Sequence, residues 1–118
     1  MAPSNDLPRL KGDALVVLLT LSAGPLHGYA IMLQAEERSA GEVRLQTGAL
    51  YRTIKRLLDE RLIEECDRPA GAAGEDERRR YYRLTRRGRA ALAAEGERLE
   101  RLSREIRHAT DGKRVPQT

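Results

Sequence analysis

The chain has 118 residues, of which 40% are hydrophobic and 34% charged, with four Tyr, no Trp and no Phe. That length suits one domain of ordinary size. A core without large aromatics must be built from Leu, Ile, Val and Ala, which favours helices over a β-sandwich. The single Cys66 rules out an intrachain disulfide, and no apolar run approaches the roughly 20 residues of a membrane span. The opening Met1-Ala2-Pro3-Ser4-Asn5-Asp6 is unlike a signal peptide, so a cytoplasmic location is expected.

The net charge of +4 is unevenly placed. Between Glu75 and Arg89 stand Arg78, Arg79, Arg80, Arg83, Arg86, Arg87 and Arg89 against Glu75, Asp76 and Glu77, so this segment accounts for the whole excess. A balanced body with one basic projection suits a surface that faces phosphates. A solvated basic strand is the plainer alternative.

In chain order, residues 1–9 are polar and broken by proline, as in an arm. Ala14–Leu21 is mostly apolar and could be a buried strand or a buried helix. The lead-in Lys11-Gly12-Asp13 and the Ala and Leu content favour a helix, stopped by Gly24-Pro25. A second helix opens at Gly28 and runs from Tyr29 to about Ser39, with Ala30, Ile31 and Leu33 inward, and Gly41 ends it. In the third helix Thr47 is the expected N-cap, and Leu50, Ile54, Leu57 and Leu58 fall on one face. Arg52, Lys55 and Arg56 fall opposite, with Tyr51 on the flank.

Leu62–Cys66 and Arg79–Thr85 read as two short strands around the turn-rich segment from Pro69 to Asp76, a hairpin with a flexible tip. Thr85 can cap a final helix reaching about Ala109. Along it Leu92, Leu99 and Ile106 recur every seven residues, with Leu102 and Ala109 filling the seam. That stripe is expected to join two copies of the chain; packing back on its own domain is the alternative. The tail 111–118 is polar. His27 reads as a cap or turn residue, and His27, His108 and Cys66 match no zinc spacing. Neither a metal nor a cofactor is called for. No phosphate-cradling glycine loop, nucleophile elbow or Ser/His/Asp set points to an enzyme.

Helix, helix, helix, hairpin, helix is the order of a winged helix-turn-helix domain, in which the third helix enters the major groove and the hairpin reaches the flanking backbone. The expected fold is therefore mainly α with a small β-hairpin: an arm over 1–9, a winged helix-turn-helix domain over 10–85, and a long C-terminal dimerisation helix over 86–110. Leu21-Ser22-Ala23-Gly24-Pro25-Leu26-His27-Gly28-Tyr29 resembles the signature of the PadR family of bacterial transcriptional regulators. Thr47-Gly48-Ala49-Leu50-Tyr51-Arg52-Thr53-Ile54-Lys55-Arg56-Leu57-Leu58 is similar to that family's recognition helix. Leu62-Ile63-Glu64-Glu65, the arginines before Tyr81-Tyr82, and Leu84-Thr85-Arg86-Arg87-Gly88 follow as in its wing and last helix. The resemblance spans about residues 10–105, and the single last helix is similar to the smaller PadR subtype.

The resemblance implies a homodimeric repressor of double-stranded DNA sites with near-palindromic sequence; several members release DNA on binding a small effector. It assigns DNA contact to Thr47, Tyr51, Arg52, Lys55 and Arg56 of the third helix and to Arg78, Arg79, Arg80 and Tyr81 of the wing. Dimer contact falls to Leu92, Leu99, Leu102 and Ile106. Two departures stand out: Arg52 replaces the proline common after the recognition-helix tyrosine, and no Trp is available to hold a planar effector. The competing reading is a winged-helix module whose wing binds an acidic protein partner.

Overall fold

The computed structural model describes residues 7–10, 12–70 and 79–111. Arg78 and most of the expected arm and tail lie outside the described residues. Helix α1 spans Gly12–Leu21 and buries Ala14, Val17, Leu18 and Leu21, the i, i+3, i+4, i+7 face of a helix. Its ambiguity between strand and helix resolves as helix. Buried Thr20 satisfies its hydroxyl by donating to the Val16 carbonyl at 2.7 Å. Gly24, at φ +150°, turns the chain into the short strand β1, Leu26–His27.

Helix α2, Gly28–Arg38, is capped by His27, whose Nδ1 accepts the Ala30 amide at 3.3 Å. Its inward residues are Ile31 and Ala35. Leu33, expected inward, is half exposed, because the buried stripe runs through positions 31 and 35 and leaves 33 on the far side. Ala40 and Gly41 both adopt positive φ, and the Gly41 amide donates back to the Glu36 carbonyl at 2.8 Å, closing the helix. Val43 and Leu45 of the connecting segment point into the core.

Helix α3, Thr47–Asp59, buries Leu50, Ile54 and Leu57. The expected N-cap, Thr47, is instead its first residue; Gln46 is the cap and makes no side-chain hydrogen bond there. Arg61, at φ 64°, ends α3 while the Leu62 amide reaches the Leu57 carbonyl at 2.9 Å. Strands β2, Ile63–Cys66, and β3, Tyr81–Leu84, are antiparallel with Ile63 opposite Leu84 and Cys66 opposite Tyr81. The expected hairpin is in fact part of a three-stranded sheet, ordered β1-β3-β2, with Leu26 opposite Tyr82. Two residues are too few to register as a strand by alternation, so only the pairing with β3 defines β1.

Helix α4, Arg86–Thr110, starts at a doubly used hydroxyl: Thr85 Oγ1 accepts the Gly88 amide at 2.9 Å and donates to the Arg61 carbonyl at 2.7 Å. Gly88 lies flat against the Leu62 carbonyl, with no room for a Cβ. The first turn of α4 is thereby fastened to the corner between α3 and β2. Two turns beyond Gly88, the buried Glu95 accepts the Leu10 amide at 2.7 Å and is bridged by Arg98 at 2.7 Å. Leu7 packs on the core and Arg9 approaches Glu95 at 3.5 Å. Residues 7–9, expected within a free arm, are therefore part of the folded body. The core beneath these elements is aliphatic, drawn from α1, α2, α3 and β2, with Tyr82 as its one aromatic member among the described residues.

Candidate nucleic-acid interface

Burying Leu50, Ile54 and Leu57 turns the opposite side of α3 outward, and Thr47, Tyr51, Arg52, Lys55 and Arg56 are all exposed there. Lys55 is 3.3 Å from Asp59 and Arg56 is 3.5 Å from Glu60, loose pairs one helical turn apart. Such exposed pairs contribute little and are readily exchanged for another anion. Among the described residues Arg52 makes no ion pair. The outward face of α3 thus presents long cations at about one-turn spacing, with a tyrosine beside them.

The sheet sets a second group next to this face. Arg79 and Arg80 precede β3 and line one small cleft with Tyr51, His27, Gly28 and Tyr29. Arg79 Nη1 stands 2.9 Å from His27 Nε2, and Arg80 is 3.4 Å from Glu65. Tyr81, expected as a surface contact, is 6% exposed, with its ring edge-on to His27 at 5.3 Å. Tyr82 and Leu84 face the core, so alternation puts Tyr81 on the other side of the sheet, where its β1 partner His27 packs against it.

The arginine-rich segment does not act as one patch. Arg83 donates to Glu64 at 2.8 Å, and Arg87 donates to the Glu60 carbonyl at 2.9 Å. Arg86 and Arg89 are exposed on the first turn of α4, beyond the other end of β3. Charge counting could not see that β3 parts the segment into two groups. Burial pushes the Cys66 thiol up, away from the thiolate form that makes cysteines reactive.

The expected dimer residues also divide. Leu92 is partly buried and packs against the core of its own domain. Leu99, Leu102 and Ile106 are 43%, 41% and 62% exposed, an apolar stripe along the part of α4 that leaves the body. Glu95, which no pattern in the sequence singled out, fastens α4 to residues 9 and 10; its one legible signal was an acid on the apolar side of an amphipathic helix. No helix is long and apolar enough to cross a membrane among the described residues.

Three helices, a small antiparallel sheet and an outward cationic third helix make this a winged-helix DNA-binding fold. A sequence profile of the transcriptional regulator PadR-like family matches residues 17–94. The chain belongs to that family of transcriptional regulators, which are not enzymes. It is 38% identical over 95 residues to an uncharacterized 37.1 kDa protein in a transposon of Streptomyces fradiae, covering 80% of this chain but only 25% of that protein.

Solved structures agree on the fold. A transcriptional regulator from Clostridium thermocellum superposes with a TM-score of 0.66 at 24% identity, covering 82% of this chain and 88% of its own. A PadR family transcription regulator from Clostridium difficile gives 0.63 at 24% identity, covering 80% and 93%. RosR of H. salinarum gives 0.61 at 25% identity, covering 90% and 86%.

Proposed function

We propose that this chain is a homodimeric, sequence-specific repressor that lays α3 in the major groove of its operator and rests the arginines before β3 on flanking phosphates. One observation supports this above others: Tyr51, on the flank of the exposed cationic face of α3, shares a single cleft with Arg79 and Arg80. Arg52 and Arg56 can each donate two parallel hydrogen bonds to a guanine edge, while Lys55 suits a phosphate. The stripe Leu99, Leu102 and Ile106 is apolar surface that a second copy would cover. A two-fold axis through it would place two α3 helices on one face of the duplex, about 34 Å apart, and require an inverted repeat. Occupancy of such a site blocks transcription from an overlapping promoter. Any effector acts without a tryptophan sandwich, since the chain has no Trp.

Footprinting of the purified protein on the DNA flanking its own coding region tests the reading, followed by titration of that site with Arg52→Ala and Lys55→Ala. Removing a base-reading hydrogen bond should weaken binding by about 1–3 kcal/mol and relax specificity at one position. Removing a phosphate partner should weaken all sequences alike. Wild-type affinity in both variants would remove α3 from the interface. An acidic-protein adaptor would show no discrimination between operator and random duplex.

A further inference from the structure

Where α2 begins, side chains from three parts of the chain surround a cleft of about 110 Å³: His27 from β1, Tyr51 from α3, and Arg79 and Arg80 ahead of β3. The groups that meet there are mismatched as hydrogen-bond partners. His27 Nδ1 accepts the Ala30 amide at 3.3 Å. A neutral imidazole carries a single N–H, so accepting at Nδ1 puts that hydrogen on Nε2. Nε2 lies 2.9 Å from Arg79 Nη1, and a guanidinium can only donate. With the α2 cap made, the two face each other donor to donor. In the other tautomer Nε2 accepts from Arg79 and the Ala30 amide loses its acceptor, so one donor is left over in either case.

The ring has little freedom to avoid this. Tyr81 packs edge-on against it, with the planes at 89°, and the N-cap holds its other nitrogen. Among the described residues the charged groups nearby are Arg79 itself and Arg80, the latter drawn to Glu65 at 3.4 Å. The Tyr51 hydroxyl presses so closely on Gly28 that a Cβ there would collide with it, which keeps that hydroxyl at the cleft. Donors converge, and among the described residues the carboxylate at hand, Glu65, is engaged with Arg80.

We propose that this cleft seats one phosphate of the bound duplex, an oxyanion accepting from His27 Nε2–H and Arg79 together, with Arg80 and the Tyr51 hydroxyl at its rim. An oxyanion is the acceptor that both donors lack, and it leaves the α2 cap intact. His27 thereby becomes a DNA-contacting residue that ties the start of α2 to the wing. The assignment rests on the DNA-binding reading above and adds the site's chemistry to it.

His27 and His108 are the only histidines, so ring signals of the intact protein can be followed by NMR across pH. Three conditions are compared: potassium chloride, inorganic phosphate at matched ionic strength, and a random-sequence duplex of about 20 base pairs at low salt, where phosphate contacts dominate. Burial in the cleft and the charge of Arg79 hold the free His27 imidazole below its ordinary pKa. Phosphate and duplex should each raise it, because a nearby anion favours the imidazolium, while His108 stays in place.

Arg79→Ala should abolish the response and flatten the log–log salt dependence of duplex binding by about 0.9. His27→Asn keeps a side chain suited to the cap; it should retain the wild-type circular dichroism spectrum and bind duplex about tenfold more weakly, as expected for removal of one hydrogen bond to a charged group. Duplex binding with an unmoved His27 and an unchanged slope in Arg79→Ala overturns the phosphate seat and leaves the DNA-binding reading standing. Failure to bind any duplex overturns that reading, and a His27 response to inorganic phosphate alone would then mark an anion site with no role on DNA.

Discussion

The main-chain amide of Leu10 donates to the carboxylate of Glu95 at 2.7 Å, joining residues 85 positions apart in sequence. Glu95 is 3% exposed and also takes both a 2.7 Å bridge from Arg98 Nη2 and a 2.8 Å bond from its Nε. Burial alone would raise the pKa of this group, but the Leu10 amide, Arg98 and Arg9 outweigh it and hold the carboxyl below its ordinary value. A carboxyl depressed in the folded state stabilises the fold above its unfolded pKa, and that contribution is lost as pH falls through the lower folded value.

Glu95→Ala should therefore lower stability by about 2–3 kcal/mol near neutral pH, because it strands a buried amide and a half-buried guanidinium. Urea unfolding at about pH 7 and about pH 3 checks both sign and window, since the gap between wild type and variant should narrow in acid. A gap of the same size at both pH values would show that packing, not charge, fastens residues 9 and 10 to α4.

Two glycines of α4 should respond oppositely to alanine. A Cβ at position 88 meets the Leu62 carbonyl, a backbone atom that cannot step aside, whereas one at position 96 meets open space. Gly88→Ala should destabilise by about 1–3 kcal/mol, as overpacking does. Gly96→Ala should stabilise by about 0.5–1 kcal/mol through helix propensity. Thermal melts of the two variants decide it: equal midpoints would disprove the docking of α4 on the α3–β2 corner.

The two arginine groups flanking β3 should separate in a salt titration. Arg79→Gln with Arg80→Gln should flatten the log–log slope of duplex binding by about 0.9 for each phosphate no longer neutralised. Arg86→Gln with Arg89→Gln, on the far side of the strand, should leave the slope unchanged. A flattening by the second pair would mean that DNA wraps past the sheet to the first turn of α4.

Along α4, Leu99→Glu with Leu102→Glu should leave a folded monomer that binds its operator poorly. Both side chains are already exposed, so the charge costs the isolated fold little while opposing a dimer. Leu92→Ala should instead lower the melting temperature, since Leu92 packs on its own core. Sedimentation of the wild type beside the double variant reads the outcome: two dimers would move the interface elsewhere, and a wild-type monomer would end the two-fold operator proposal.

What was legible in the sequence was local in origin. The spacing of Leu50, Ile54 and Leu57 was enough to place α3 and its outward cations, because a helix repeats its faces within four residues. His27 and Thr85 declared themselves as caps for the same reason: a cap bonds an amide three residues away. The Gly-Pro and Gly stops, the order of the helices and the length of α4 followed from similarly short-range chemistry.

What only the tertiary structure decided involves partners far apart in the chain. Strand β1 exists because Leu26 and His27 find β3 more than fifty residues later, and no two-residue segment announces a partner. Pairing then buries Tyr81, sets Arg79 against His27, and parts Arg79 and Arg80 from Arg86 and Arg89. Glu95 reads as one more surface acid until Leu10 closes on it. Side-chain period tells which residues share a face, but it cannot tell what that face meets; that choice is made by long-range packing, where loop closure, burial and hydrogen-bond satisfaction are settled together.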